Sequence, residues 1–393
     1  MRLLCASSWG GSMSEWRWTT IGELTTNFDS LRRPVKSSDR KPGAIPYYGA
    51  SGIIDWVDGY THDGEYLLVA EDGENLRSRN TPIAFMSRGK AWINNHAHVV
   101  AGNHRSHTRF LEYLFAQTDV LGYLTGSAQP KLSRSSLDSI AVHVPALPEQ
   151  VAIAEILGAL DDKIAANTRV AAASVRLAEN LYLREVLSAK FSTQPLGQVA
   201  TTVLGGTPSR QNQDFWTSGS VPWLNSGKAN EDRITQPSAY ITDEALRRSA
   251  AKLMPEGTTV IAITGATLGQ VSRLEIAASG NQSLVGIWSE NRALNDWLYF
   301  AIRDQIPELL KKATGAAQQH VNKRDVDSLP VPIARSTDLD NFSTVATPLL
   351  KVAASADIQN LGLAATRDAL LPQLMSGKLR VKDAEKVLEN AGV

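Results

Sequence analysis

Two groups of polar side chains stand out by type and by place. The first comprises Gly73, Asn75, Arg77, Arg79, Arg88, Lys90, Gln129, Lys131 and Arg134. The second comprises Lys228, Thr264, Thr267, Gln270, Gln282, Gln318, His320, Lys323 and Arg324. Both fall on predicted loops. Arg and Lys match the acceptor edge of guanine, and Asn and Gln match adenine. Hydroxyl and backbone N–H groups hold phosphates. Gly73, Gly265 and Gly269 would let the backbone turn sharply or approach such a ligand closely. Any one of these side chains alone reads as ordinary solvated surface; only the two sets as wholes point to a nucleic acid.

The sequence lacks the common catalytic constellations. An amino-methyltransferase needs a Gly-rich cofactor loop and an Asn/Asp-Pro-Pro-aromatic loop for a flipped base. Neither occurs. Gly89-Lys90 and Gly227-Lys228 are each followed by Ala, so neither makes a phosphate-cradling loop. Asp383-Ala384-Glu385-Lys386 has nuclease-like residue types, but it sits in a predicted helical tail and reads as a solvated face. His96, His98, His104 and His107 cluster, and two His spaced by two on a strand share a face that could hold a metal. No cysteine supports them, and Gln282 stands at the repeat position of His96. A structural histidine or a polar DNA contact is the simpler reading. No catalytic residue, metal or cofactor is expected in this chain.

The chain has 393 residues, enough for two to three domains, with 43% hydrophobic and 20% charged residues. Such a composition predicts folded domains rather than disorder. Cys5 is the single cysteine, which excludes a disulfide framework and suits a reducing, cytoplasmic setting. No stretch is long and apolar enough to cross a membrane. The run from Met1 to Gly11 is too weak for a signal peptide, and Met13 offers a second translation start. Lys and Arg total 40 against 40 Asp and Glu, a net charge of zero. That balance counts against a free-standing nucleic-acid binder, though not against one clamped by partners.

The elements that position the polar groups occur twice. Ile21-Gly22-Glu23-Leu24-Thr25 resembles Leu196-Gly197-Gln198-Val199-Ala200, an offset of 175 (196 − 21). Ile45-Pro46-Tyr47-Tyr48 resembles Val221-Pro222-Trp223-Leu224. Thr125-Gly126-Ser127-Ala128-Gln129 resembles Thr314-Gly315-Ala316-Ala317-Gln318, an offset of 189 (314 − 125). Leu67-Leu68-Val69-Ala70, His98-Val99-Val100, Thr259–Ile263 and Leu284–Ile287 read as buried strands. Phe110–Gln117 and Asp296–Arg303 read as short helices.

A long helical segment closes each half. The first is expected from about Pro148 to Lys190, with a stripe at Ile153, Leu157, Leu160, Ile164 and Asn167 continuing through Ala171, Ser174, Ala178 and Leu181. The second has Ala346, Leu349, Ala353, Ala356, Asn360, Leu363, Arg367 and Leu370 at the same spacing. Steps of four and three are those of a coiled-coil seam, and an Asn in each stripe can set register. Thr347-Pro348 is expected to interrupt the second segment, which would become regular near Pro348. Paired, the two helices would form a spacer that holds two similar readers a set distance apart. Packing of each helix on its own domain is the alternative.

Several stretches together resemble the Type I restriction-modification specificity subunit family. They are Ile45-Pro46-Tyr47-Tyr48-Gly49-Ala50-Ser51-Gly52, Glu71-Asp72-Gly73, Asn94-Asn95-His96-Ala97-His98, Pro148-Glu149-Gln150 to Asp161-Asp162-Lys163-Ile164, and Leu370 to Leu379. The resemblance covers nearly the whole chain from Glu15 onward. It implies an α/β (α+β) fold class, with two similar target-recognition domains and two long helices in an antiparallel coiled coil, a pseudo-twofold internal repeat. The implied boundaries are 1–13 for an N-terminal extension, 14–146 for the first recognition domain, 147–190 for the first helical spacer, 191–335 for the second recognition domain, 336–380 for the second spacer and 381–393 for a tail. It further implies sequence-specific binding of double-stranded DNA through a two-part, asymmetric target. The implied partners are two methyltransferase subunits, which bind S-adenosylmethionine, and restriction/translocase subunits. Ala334-Arg335-Ser336-Thr337 departs from the pattern, since the first half has Ala146-Leu147-Pro148-Glu149 there. The rival readings are a scaffold that pairs two proteins without reading sequence, and a DNA-modifying enzyme.

Overall fold

The computed structural model describes residues 16–188, 191–315 and 319–391. They form two compact units, one taking the chain up to Lys163 together with residues from Leu363 on, the other taking Ile164–Gly362.

In the first unit the strands are β1 (Arg17–Thr20), β2 (Thr25–Asn27), β3 (Pro42–Gly49), β4 (Gly52–Val57), β5 (His62–Ala70), β6 (Ala84–Ile93), β7 (Ala97–Gly102) and β8 (Ala141–Val144). Six of them make one sheet in the order β2-β7-β5-β6-β3-β4, while β1 and β8 pair antiparallel. The apolar runs Leu67–Ala70 and Val99-Val100 sit at the centre of that sheet, fully buried. Gly64 of β5 faces Gly89 of β6, and both take positive φ, which lets the ribbon bend there. Helix Thr108–Gln117 buries Phe110, Leu111, Leu114 and Phe115.

The second unit repeats the plan with β9 (Ser192–Pro195), β10 (Thr201–Leu204), β11 (Val221–Leu224), β12 (Arg233–Ile234), β13 (Ala239–Ile241), β14 (Thr259–Ala262), β15 (Val271–Leu274), β16 (Ser279–Gly280), β17 (Leu284–Trp288) and β18 (Pro330–Ile333). A five-stranded sheet runs β10-β17-β14-β15-β12, a three-stranded one runs β13-β11-β16, and β18 pairs with β9. Matching bonds close both units: Ile21 N to Ile140 O at 3.0 Å, and Leu196 N to Leu329 O at 2.9 Å. A side chain at Gly22 or Gly197 would meet Asp138 or Asp327 at 3.0 Å, which explains the shared glycine. The short helix expected over Asp296–Arg303 is longer, Arg292–Leu310. The Asn291 side chain caps its start, and Leu294, Trp297, Leu298, Phe300 and Ala301 supply a buried face.

The long helices are Leu147–Ser188 and Ser336–Met375. The expected break at Thr347-Pro348 does not occur. Proline removes one hydrogen bond and crowds the preceding turn, at about 3 kcal/mol. Against that cost, Phe342, Ala346, Leu350 and Ala353 share a core with Trp297, Phe300 and Tyr182, so burial holds the helix straight through Pro348. The helix ends before Gly377 (φ 69°), where Gly377 N bonds Leu374 O and Leu379 N bonds Gln373 O. A further helix, Val381–Ala391, buries Ala384 and Leu388 and leaves Asp383, Glu385 and Lys386 exposed, a solvated charged face.

Ile153, Leu157 and Leu160 are buried, and Ile164 and Asn167 are half-buried. On the other helix Ala353, Ala356 and Leu363 are buried, while Leu349 and Asn360 are half-buried and Leu350 takes the deep position beside Leu349. In the second unit Ala171, Val175, Ala178 and Tyr182 share one core with Ala356, Ala353, Leu350 and Ala346, an antiparallel pairing. Asn167 Nδ2 donates to Gln359 Oε1 at 3.3 Å and Asn360 Nδ2 to Thr168 Oγ1 at 3.2 Å. Each Asn therefore bonds a neighbour of the other, not the other Asn. In the first unit Arg367 pairs with Asp161 at 2.9 Å.

Among the described residues no helix is long and apolar enough to cross a membrane.

Candidate nucleic-acid interface

In the first unit four loops converge beyond the end of β5. Glu71 N bonds His96 O at 2.9 Å, and Leu132 N bonds Glu71 O at 2.8 Å. Gly73 N bonds Pro130 O at 3.1 Å, while Thr125 and Lys131 exchange two bonds of 2.8 Å. The loop after β2 joins through Arg32, which reaches Glu71 Oε2 at 2.7 Å and Ala97 O at 2.9 Å.

The second unit builds the same frame. Val321 N bonds Ile263 O at 3.0 Å, Gly265 N bonds Gln319 O at 3.1 Å, and Thr314 and His320 exchange bonds of 3.0 and 2.9 Å. Gly73 and Gly265 take positive φ (110° and 68°), as do Gly126 and Gly315 (82° and 107°). These four turns need backbone that side-chain-bearing residues rarely adopt. The two frames agree bond for bond, yet matching positions carry Glu71 and Ile263, Asp72 and Thr264, Lys131 and His320.

Residues 13–173 and 189–336 each match the Type I restriction modification DNA specificity domain. The chain belongs to this family. It is 31% identical over 303 residues to a type I restriction enzyme specificity subunit of Haemophilus influenzae, covering 73% of this chain and 76% of that one. It is 23% identical to the EcoR124I/EcoR124II specificity subunit of Escherichia coli, covering 84% and 87%. Its fold is similar to the crystal structure of the Type-I restriction-modification system S subunit from M. genitalium, with a TM-score of 0.66, 14% identity and coverage of 92% and 96%.

In the first specificity domain the frame brings together Gly73, Asn75, Arg77, Gln129 and Lys131. Several side chains are spent inside the protein. Asn75 clamps Thr81 with two bonds of 3.0 Å, through Oδ1 and Nδ2. Arg77 donates to the carbonyls of Gly126 (3.1 Å) and Ser127 (3.3 Å). Arg79, itself at positive φ, donates to Phe115 O at 3.0 Å and to Thr118 O, tying off helix Thr108–Gln117. Arg134 pairs with Asp138 at 2.7 Å, and Lys323 repeats this with Asp327 at 2.8 Å. Arg88 and Lys90 do not join the converging loops. Flanking the Gly89 bend, Arg88 faces Glu65 (3.5 Å) and Asp162 (3.9 Å), and Lys90 lies over the Tyr60 ring. Gln129 is exposed at the loop tip.

In the second specificity domain Thr264, Thr267, Gln270 and His320 lie on the frame, with Gln270 and His320 exposed. Gln282 accepts from the Thr207 hydroxyl at 2.5 Å. Lys228 pairs with Glu231 at 2.7 Å, and Arg324 is exposed. Gln318 lies outside the described residues.

Beneath the first domain's loops is a charge network that sequence reasoning missed. Buried His98 places Nδ1 2.7 Å from Asp29 Oδ2 and Nε2 2.9 Å from Leu132 O. Arg32 pairs with Asp29 (3.3 Å) and Glu71, and Glu71 also meets Lys131 at 3.2 Å. Burial pushes the Asp29 carboxyl up, but the His98 bond, the Val99 N–H and the Arg32 charge bring it below the ordinary aspartate value. Glu71 is likewise lowered: burial is outweighed by Arg32, His98 and Lys131. The register places Leu204, Ile263 and Val285 where the first domain has Asp29, Glu71 and His98, so the second domain has apolar residues at all three positions. The His pair that suggested a metal is thus split: His98 is inside this network, and His96 meets Asp72 at 2.8 Å on the surface.

Proposed function

We propose that this chain is the DNA-reading subunit of a type I restriction-modification assembly, each specificity domain recognising one half of a two-part target. One observation carries the reading: a single backbone frame is built twice, with different side chains at matching positions. Two copies of one reader with unlike contact groups suit two unlike words, hence an asymmetric site. The relatives bear the names of specificity subunits of type I restriction enzymes. By this reading two methyltransferase subunits, carrying S-adenosylmethionine, and restriction/translocase subunits dock on the chain and act on cytoplasmic DNA. The chain itself supplies no catalytic group.

The zero net charge favours a second reading, a scaffold indifferent to sequence. Footprinting on random-sequence DNA, with the chain assembled with its methyltransferase, separates the two. Two short protected words with an indifferent gap are expected, along with steep salt dependence. Uniform protection, or none, overturns the proposal.

A further inference from the structure

Arg210 belongs to neither set of polar residues that the sequence singles out. It is exposed on the loop after β10, with its guanidinium 3.6 Å from the centre of the Trp216 ring and 5.3 Å from that of Trp223. Both indoles are locked. Trp216 Nε1 donates to Ser209 O at 3.1 Å, Trp223 Nε1 donates to Gly206 O at 3.2 Å, and the rings meet edge to face at 5.2 Å. Two tryptophans therefore staple the loop and give Arg210 a flat surface to lie on.

Arg210 combines this stacking with donors that are unspent. Among the described residues it makes no hydrogen bond and no ion pair. Arg32, Arg77, Arg79 and Arg134 all donate to protein acceptors. The stacked arginine of the first domain, Arg40 over Tyr47 at 4.3 Å, is neutralised by Asp55 at 3.0 Å. The loop that carries Arg210 is tied next to the frame, where Ile263 N bonds Ser283 O at 2.9 Å. Three residues before Arg210, Thr207 bonds Gln282, and Gly206 N bonds Gly280 O at 2.7 Å. A guanidinium held in plane with five free N–H donors is pre-organised for a planar pair of acceptors, and guanine O6 and N7 in the major groove are that pair.

We infer that Arg210 is a specificity-determining residue of the second domain, reading a guanine in its half-site. The inference rests on the DNA-reading role proposed above.

The test uses the full chain assembled with its methyltransferase, as wild type, Arg210→Ala and Arg210→Lys, each selecting from a random duplex library whose bound fraction is sequenced. The expected result for Arg210→Ala is an unchanged first word and a second word that loses its preference for one guanine, by roughly 10- to 100-fold. Arg210→Lys keeps the charge without the fork, and should lose most of the same preference. The unchanged first word shows that each variant assembles, and the other positions of the second word, unchanged, show that its second domain folds. Weakening spread evenly over all sequences, or two unchanged words, overturns the assignment of Arg210 alone. A wild-type assembly that selects no words overturns the DNA-reading role itself.

Discussion

Replacing His98 by valine, the residue at the matching position of the second domain, isolates the charge network under the first domain's loops. The His98 side chain is 1% exposed and that of Asp29 is 13% exposed. The substitution removes the 2.7 Å contact to Asp29 and the 2.9 Å contact to the Leu132 carbonyl. A hydrogen bond to a charged group is worth about 1.5–3 kcal/mol and a neutral one about 0.5–1.5 kcal/mol. Asp29 keeps the Val99 N–H at 2.7 Å and Arg32 at 3.3 Å, so it is not orphaned. The expected loss is therefore about 2–4 kcal/mol, below the upper range for a stranded buried charge. Adding Asp29→Leu removes the carboxylate and installs the second domain's Leu204–Val285 pairing. The double variant should lose less than the two single variants summed, a coupling above about 1 kcal/mol. Amide hydrogen exchange across Ala97–Gly102 reads the effect locally. The pH dependence has a definite sign. Asp29 is held below the ordinary aspartate value, so its contribution is complete above that ordinary value and fades as pH falls through its lowered native one. The gap between wild type and His98→Val should narrow below about pH 4. A coupling under about 0.5 kcal/mol would refute the reasoning.

Arg79→Ala frees the Phe115 and Thr118 carbonyls and should destabilise the first domain by about 1–3 kcal/mol, measured by calorimetry of the full chain. Asn75→Ala removes both bonds to Thr81. It should raise exchange across residues 75–81 and blur the first word, with a stability change of about 1 kcal/mol or less. Pro348→Ala restores an N–H inside the second long helix and should raise its thermal stability by about 1–3 kcal/mol; a lower melting temperature would count against the burial argument for that helix.

The periodic parts were legible because burial writes them into residue type. The β5 and β7 cores, both long helices and most of their stripes follow from period and apolarity alone. Pro348 signals a break by local preference alone, and the packing of Phe342, Ala346 and Leu350 in the second domain's core overrides it. The loop residues were found by type, but type does not say whether a donor is free. Asn75, Arg77 and Arg79 spend theirs on carbonyls tens of residues away or across a tight loop, and no spacing rule reveals that. The Asp29–His98–Glu71 network was hidden for the same reason, since its members come from three strand ends. Arg210 had one usable signal, its closeness to Trp216, which a search for Arg near aromatic residues would have caught.

The duplicated frame explains how two readers can diverge without either fold failing. Its bonds run between backbone atoms: Leu132 N to Glu71 O, Gly73 N to Pro130 O, and the Thr125–Lys131 exchange, each matched in the second domain. Substitution at Asp72 or Lys131 leaves those atoms in place, so side chains there can change while the turn persists; a change at Glu71 must also replace its pairing with Arg32, as the apolar residues of the second domain do together. The glycines at the positive-φ corners cannot change so freely, and they are the positions the two copies share. Arg134 and Lys323 also belong to what is shared, each closing the same turn onto Asp138 or Asp327. On the proposed reading, discrimination between words falls to the residues that differ on the frame and to groups beside it, such as Arg210, whose donors are met by no protein acceptor among the described residues.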